Sequence, residues 1–264
     1  LDKNGSIESD DIANGNLLTL AIGDASLFVG QNGNADGTAG SDSLGFAATG
    51  ARLALARITA NSTDRAGGDT RSYLAIKGYL GDVALTGVDE LAVFGADLGL
   101  QINKAFGAKN MVDASALDWT AALDLDGDDT FGESSDDLLD LGSSLSPAVS
   151  GLEMDFIAEQ LRISGSLAID VANGALVATT GTVDLNFATV TVSDGTTTLT
   201  NAEVLSLEVS GAALFAGSGG GLNAEKTGLE LAADAIGFSV SGAGLKLVLA
   251  KGAADDPVAD HQGD

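Results

Sequence analysis

One pattern recurs along this chain and limits what it can fold into. A stretch with apolar residues at every second position meets a [Ser/Thr]-Gly dipeptide, and the alternation then resumes. It runs from Leu161 to Ile169 across Ser164-Gly165, from Leu176 to Leu185 across Thr180-Gly181, from Leu205 to Leu214 across Ser210-Gly211, and from Phe238 to Leu247 across Ser241-Gly242. Related forms surround Thr49-Gly50, Lys77-Gly78 and Phe94-Gly95. Period-two alternation predicts strands with one buried face. A glycine lets the backbone bend where a Cβ would clash. The glycines at 165, 181, 211 and 242 are 16, 30 and 31 residues apart. These spacings predict an all-β fold: coils of a β-solenoid, like a parallel β-helix, with irregular Asp/Gly-rich loops. Antiparallel hairpins would want Asn-Gly or Asp-Gly turns between most strands, and the pattern is read as not supplying them. A tandem β-sandwich is the alternative.

A longer recurrence overlies this rhythm. Leu18-Thr19-Leu20-Ala21-Ile22 through Leu27-Phe28-Val29-Gly30 is matched 187 residues later by Leu205-Ser206-Leu207-Glu208-Val209 through Leu214-Phe215-Ala216-Gly217. Gly45-Phe46 through Leu53-Ala54-Leu55 is matched 192 residues later by Gly237-Phe238 through Leu245-Lys246-Leu247. The offset grows only across polar, glycine-rich sequence, where loops absorb insertions. The chain is therefore expected to hold about one and a third units of a long repeat, its borders cutting across the repeat. Leu1-Asp2-Lys3-Asn4-Gly5 reads as the middle of a motif, as in a piece of something longer, and lacks the features of a signal peptide.

Composition agrees with thin β-layers. Aromatics make up 5% of residues and Trp119 is the single tryptophan, so Ala, Val, Leu and Ile must build the core. There are 36 glycines against two prolines, Pro147 and Pro257. The 12 basic and 38 acidic residues leave a formal charge of −26. That charge disfavours nucleic acid and anionic membrane surfaces, both of which want a basic face. Without cysteine, neither disulfides nor thiol chemistry is available. No apolar run reaches the roughly 18 residues of a spanning helix, so membrane insertion is not expected.

Two acidic clusters are candidate calcium sites. In Asp2-Lys3-Asn4-Gly5-Ser6-Ile7-Glu8-Ser9-Asp10-Asp11, an EF-hand-type alignment puts Asp2 and Asn4 at alternate ligand positions, Gly5 at the sharp turn and Asp11 at the last ligand position. Glu8 is a further candidate ligand. The second cluster contributes Asp124, Asp126, Asp128, Asp129 and Glu133, and its acidic run continues to Asp136, Asp137 and Asp140. Carboxylates this dense repel one another unless a counter-ion joins them. Gln31–Gly37 is a polar loop.

Catalysis is not expected. His261 is the only histidine, and no Gly-x-Ser-x-Gly elbow accompanies it. Arg52, Arg57, Arg65 and Arg71 cluster in sequence with Tyr73, and these are the residues a carbohydrate-binding or carbohydrate-processing β-helix would use.

The Gly/Asp-rich, cysteine-free composition, the long imperfect repeat and the Asp2–Asp11 loop together resemble giant tandem-repeat exoproteins and adhesins of Gram-negative bacteria. The repeats-in-toxin nonapeptide is absent. The resemblance implies a structural repeat segment of an extracellular or cell-surface, calcium-stiffened rod or filament. Its partners would be neighbouring repeat units of the same or identical chains, and surface glycans. Along the chain this predicts a calcium loop at 1–15 and first-unit coils at 16–104. An acidic, loop-rich insertion at 105–150 and further coils at 151–264 would follow.

Overall fold

The computed structural model describes residues 12, 15–125, 131, 137–193, 195–196 and 198–252. It is all-β. Eleven strands follow in order: β1 (Asn16–Gly33), β2 (Ala39–Thr59), β3 (Ser72–Thr86), β4 (Leu91–Phe106), β5 (Ala108–Lys109), β6 (Val112–Asp113), β7 (Gln160–Val171), β8 (Leu176–Thr179), β9 (Thr182–Ser193), β10 (Thr198–Leu222) and β11 (Leu229–Lys251). One short helix, α1 (Ser62–Ala66), joins β2 to β3 and is capped by the Asn61 side chain. Nine strands make one antiparallel sheet in the order β1-β2-β3-β4-β7-β8-β10-β11, with β9 end to end with β8 between β7 and β10. The other two, β5 and β6, pair as a small ribbon.

The β-solenoid is thus corrected. Every neighbouring pair in the large sheet is antiparallel, whereas a parallel β-helix stacks parallel strands. The error has a physical cause. Most [Ser/Thr]-Gly dipeptides lie within long strands rather than between short ones, and mark where each strand bends; Thr180-Gly181 alone of those named falls between two strands, β8 and β9. Gly50, Gly211 and Gly242 have φ of 62°, 62° and 69°, and Asp24 and Asp97 take the same left-handed conformation at 52° and 53° on β1 and β4. Pairing registers shift at this line, between Ile22 and Ala25, between Ala96 and Gly99, and between Val209 and Ala212. Bulges bend strands and raise their twist, so the line is a crease running across the sheet. The hairpin turns lie elsewhere, in Asn34–Thr38, around Gly87 and Glu90, in Ala172–Gly174 and in Asn223–Gly228. Two of them carry the dipeptides that antiparallel hairpins favour, Asp36-Gly37 and Asn173-Gly174, so the expected scarcity of such turns is corrected too.

The first and last hairpins match pair for pair. In β1–β2, Leu20 faces Leu55, Ile22 faces Leu53, Leu27 faces Ala48 and Gly30 faces Gly45. In β10–β11 the corresponding pairs are Leu207–Leu247, Val209–Leu245, Leu214–Val240 and Gly217–Gly237. Gly30 and Gly217 are needed for the same reason. A Cβ on Gly30 would lie 2.1 Å from the Leu44 carbonyl oxygen, and one on Gly217 would lie 2.1 Å from that of Ile236.

The core lies on one face only. Between β4 and β7 the chain leaves the sheet and lies back across it. Trp119, Leu117, Leu123, Leu152, Met154 and Phe156 there pack on Ala54, Ala56, Ala60, Ala75 and Tyr73 of β2 and β3. Alanines on the sheet let a flat layer approach closely, while the bulk comes from the covering segment. Leu152, Met154 and Phe156 alternate as the residues of a strand would. The alternation instead reflects burial of a loop, with a single bridge between Glu153 and Asp140 and a strand only from Gln160. Asn103, fully buried, ties the layers together: its Nδ2 donates to the Leu117 and Ala158 carbonyls (2.8 Å each), and its Oδ1 accepts from Trp119 Nε1 (3.0 Å).

Candidate functional site

The opposite face of the large sheet is apolar, and among the described residues nothing is packed over it. Residues directly opposite in an antiparallel sheet share a face, so registers can be followed from edge to edge. One row runs Leu20, Leu55, Ile76, Ile102, Leu161, Phe187, Leu205, Leu249. Its neighbour runs Ile22, Leu53, Gly78, Leu100, Ile163, Leu185, Leu207, Leu247. Leu20 and Ile163 are each 46% exposed and Leu249 is 55% exposed. Full burial of such a side chain is worth about 1.5–3 kcal/mol, so half-exposed rows leave a large driving force unused. A contiguous apolar surface of this extent marks an interaction site.

Where the rows meet the crease, the face hollows into a trough of about 510 Å³ lined by Ile22, Leu27, Leu53, Leu80, Leu98 and Leu100. Gly78 leaves room on its floor, where every other member of that row carries a branched aliphatic side chain.

The covered side of the sheet carries a polar patch near the crease. A second hollow of about 450 Å³ lies along the crease there, lined by Asp97, Ser164, Ser166, Thr182, Asp184, Arg162 and Glu208. Arg162 Nε donates to both Asp184 oxygens (3.1 and 3.0 Å), and this bond raises the guanidinium pKa above its ordinary value. Tyr79 donates to Asp97, which pushes the phenol pKa up, while the Arg52 guanidinium stacks 4.2 Å above the Tyr79 ring. None of these residues was singled out as one group by sequence. Those lining the hollow lie on four strands, β4, β7, β9 and β10, and only the register of the sheet gathers them.

The arginine cluster is not gathered into one groove. Arg71 is held by Asp69, Tyr73 is buried in the core, Arg52 stacks on Tyr79 and Arg65 sits on α1. Arg57 shares the apolar face, in the row Leu18, Arg57, Leu74, Lys104 that borders it.

The calcium-binding expectation is corrected only as far as the described residues reach. Among the described residues no group of three or more acidic or histidine side chains is placed to hold a metal. Asp124 is half-buried. Asp137 and Asp140, which continue its acidic run, accept from backbone amides instead: Asp137 from Leu125, and Asp140 from Gly142 and Ser143. Such bonds satisfy carboxylates without a cation. Asp2, Asn4, Glu8, Asp11, Asp126, Asp128, Asp129, Glu133 and His261 lie outside the described residues. Gln31–Gly37 belongs to the end of β1 and its turn, where Asn34 binds Thr38 and Ala39.

No protein-family model matches the chain, and neither a curated protein nor a solved structure matches it. Among the described residues no helix is long and apolar enough to cross a membrane.

Proposed function

We propose that the chain is a structural β-sheet module of an extracellular assembly, whose work is to pack. Its uncovered apolar face is a surface laid against another apolar layer. The observation that carries this reading is the pair of Leu/Ile rows spanning every strand position from β1 to β11. A core needs its apolar residues covered, yet the largest buried cluster of the described residues lies on the other side, under the segment between β4 and β7. The rows therefore serve something outside the described residues. The charge of −26 keeps such a surface in solution until its partner arrives.

The test separates the face from the core. The triple variant Ile22→Thr, Leu100→Thr, Ile163→Thr keeps β-branched or small side chains on the strands while removing apolar area. The native chain is expected to enhance the fluorescence of anilinonaphthalene sulfonate in buffer, and the variant to lose that enhancement with an unchanged far-ultraviolet spectrum. A native chain that leaves the dye dark would end this reading.

The polar hollow favours a second reading, a carbohydrate-binding sheet. It combines carboxylates, hydroxyls and a fixed guanidinium at one depression, the donors and acceptors that polyol recognition uses. Binding on a glycan panel that Asp184→Asn abolishes would favour it over packing.

A further inference from the structure

The two ends of the sheet are open strands, and the fold itself contains the pattern for what each accepts. Among the described residues β1 pairs only with β2, and β11 only with β10. Their counterparts are interior. β2, the counterpart of β11, pairs on its far side with β3, placing Leu53 opposite Gly78 and Leu55 opposite Ile76. β10, the counterpart of β1, pairs on its far side with β9, placing Leu205 opposite Phe187 and Leu207 opposite Leu185. Each open edge is thus the same local sequence as an edge that is paired elsewhere in the molecule.

We propose that β11 of one copy pairs with β1 of a second copy, head to tail and antiparallel, with Leu249 opposite Leu18, Leu247 opposite Leu20 and Leu245 opposite Ile22. This rests on the packing-module reading and names the partner at its edges.

Three features fix this geometry. The sheet has eight strand positions, an even number, because β8 and β9 share one. Its two edges therefore run in opposite directions, and a second copy set alongside meets β11 antiparallel with its apolar face on the same side. The register also brings together the bends at Asp24 and Gly242, so the crease passes from one copy into the next. The slant is preserved as well. Across one chain the row starting at Leu20 reaches Leu205, although the counterpart of Leu20 is Leu207. In the proposed register that row enters the next copy at Leu18, the same two-residue displacement in the same sense.

Electrostatics permit the contact. In a chain with 38 acidic residues, β1 carries one charge, Asp24, and β11 from Ala235 to Lys251 carries only Lys246 and Lys251. Exposed edges are ordinarily guarded by charge, proline or brevity. These edges run 18 and 23 residues without proline. A head-to-tail contact of this kind does not close on itself, so copies add in an open series.

Capped edges test it. Leu20→Lys places a charge on the β1 edge and Leu247→Lys places one on the β11 edge. The native chain is expected to gain mass with concentration by sedimentation or light scattering, and each variant alone to remain a monomer. Mixed at equal concentration, the two variants are expected to give a dimer of twice the monomer mass and nothing larger, because one open β11 meets one open β1. This recovery also shows that both variants fold. Since the chain has no cysteine, Leu18→Cys with Leu249→Cys reads the register directly. Oxidation is expected to give a ladder of covalent multimers, and Leu20→Cys with Leu249→Cys to give none. A native chain that stays monomeric at every concentration overturns the edge proposal, as does dimerisation of either capped variant alone, which would mean like-to-like edges. Dye binding by that monomer would still leave the packing face standing.

Discussion

Asn103 joins the sheet to the segment that covers it. Its side chain makes three hydrogen bonds between the sheet and the insertion, to Leu117 and Ala158 as donor and from Trp119 as acceptor. Asn103→Leu keeps the branching of the side chain and deletes all three. The Leu117 carbonyl and the indole N–H then lose their partner at a buried site, and each such orphan costs about 1–3 kcal/mol. The Ala158 bond is only partly buried, so water replaces it at little cost. The expected loss is about 3–4 kcal/mol, a factor of several hundred in the unfolding constant. Trp119 is the sole tryptophan and lies fully inside this layer, so its emission reports the insertion, while far-ultraviolet circular dichroism reports the sheet. In a urea titration the Trp119 transition should move to lower urea by that free energy. Its emission in buffer should also shift to the red as the indole gains water. A variant within about 1 kcal/mol of the native chain by Trp119 fluorescence would refute the claim that Asn103 clamps the two layers.

The remaining expectations follow from neighbouring features. Trp119→Ala removes the largest side chain of the core and should lose about 3–5 kcal/mol in the same titration followed by circular dichroism. Gly217→Ala should lower the thermal midpoint and accelerate amide exchange in β11, because its Cβ would press on the Ile236 carbonyl. Arg71 hydrogen-bonds the Asp69 carboxylate and holds its pKa below the ordinary value of 3.8. A depressed carboxyl stabilises the fold above its unfolded pKa and ceases to do so as pH falls through its folded pKa. Arg71→Gln should therefore cost stability at pH 7, and the difference from the native chain should vanish on acidification below that range, read as urea midpoints across pH.

The alternation at Leu18–Leu20–Ile22 or Leu161–Ile163 announces strands and names the face each side chain takes. What alternation cannot supply is the neighbour. Ser210-Gly211 in a bent strand and the same dipeptide at a chain reversal have one local chemistry, since both need a residue tolerant of φ near 62°. The reversals themselves are only partly marked: Asn173-Gly174 in the β7–β8 turn is the Asn-Gly signature, while Asn223–Gly228 carries none of it. Likewise Met154 and Phe156 alternate because one side of a loop lies on the sheet, and periodicity alone does not distinguish that from a strand. The polar hollow was out of reach for a related reason. Asp97, Arg162 and Glu208 are far apart in sequence, and they meet only through the registers of β4, β7, β9 and β10.

Phe28 and Phe215 offer a comparison internal to the molecule. They stand at the same position of the matching hairpins, each with its ring over a glycine of its own strand, Gly33 and Gly220. Their surroundings differ by one strand. β10 has β8 beside it, and Phe215 pairs with Val177 and is 2% exposed. β1 has no such neighbour among the described residues, and Phe28 is half-buried. Phe215→Ala is therefore expected to cost about 3–5 kcal/mol, and Phe28→Ala in dilute protein about 1–2 kcal/mol. The gap measures what an outer strand adds to one position of an otherwise equivalent pair. If a second copy docks on β1, the gap must narrow as protein concentration rises, because Phe28 then acquires the neighbour that Phe215 already has. Equal losses for the two variants in dilute, monomeric protein would mean that the flanking strand contributes nothing, and the argument from matching edges would fall with it.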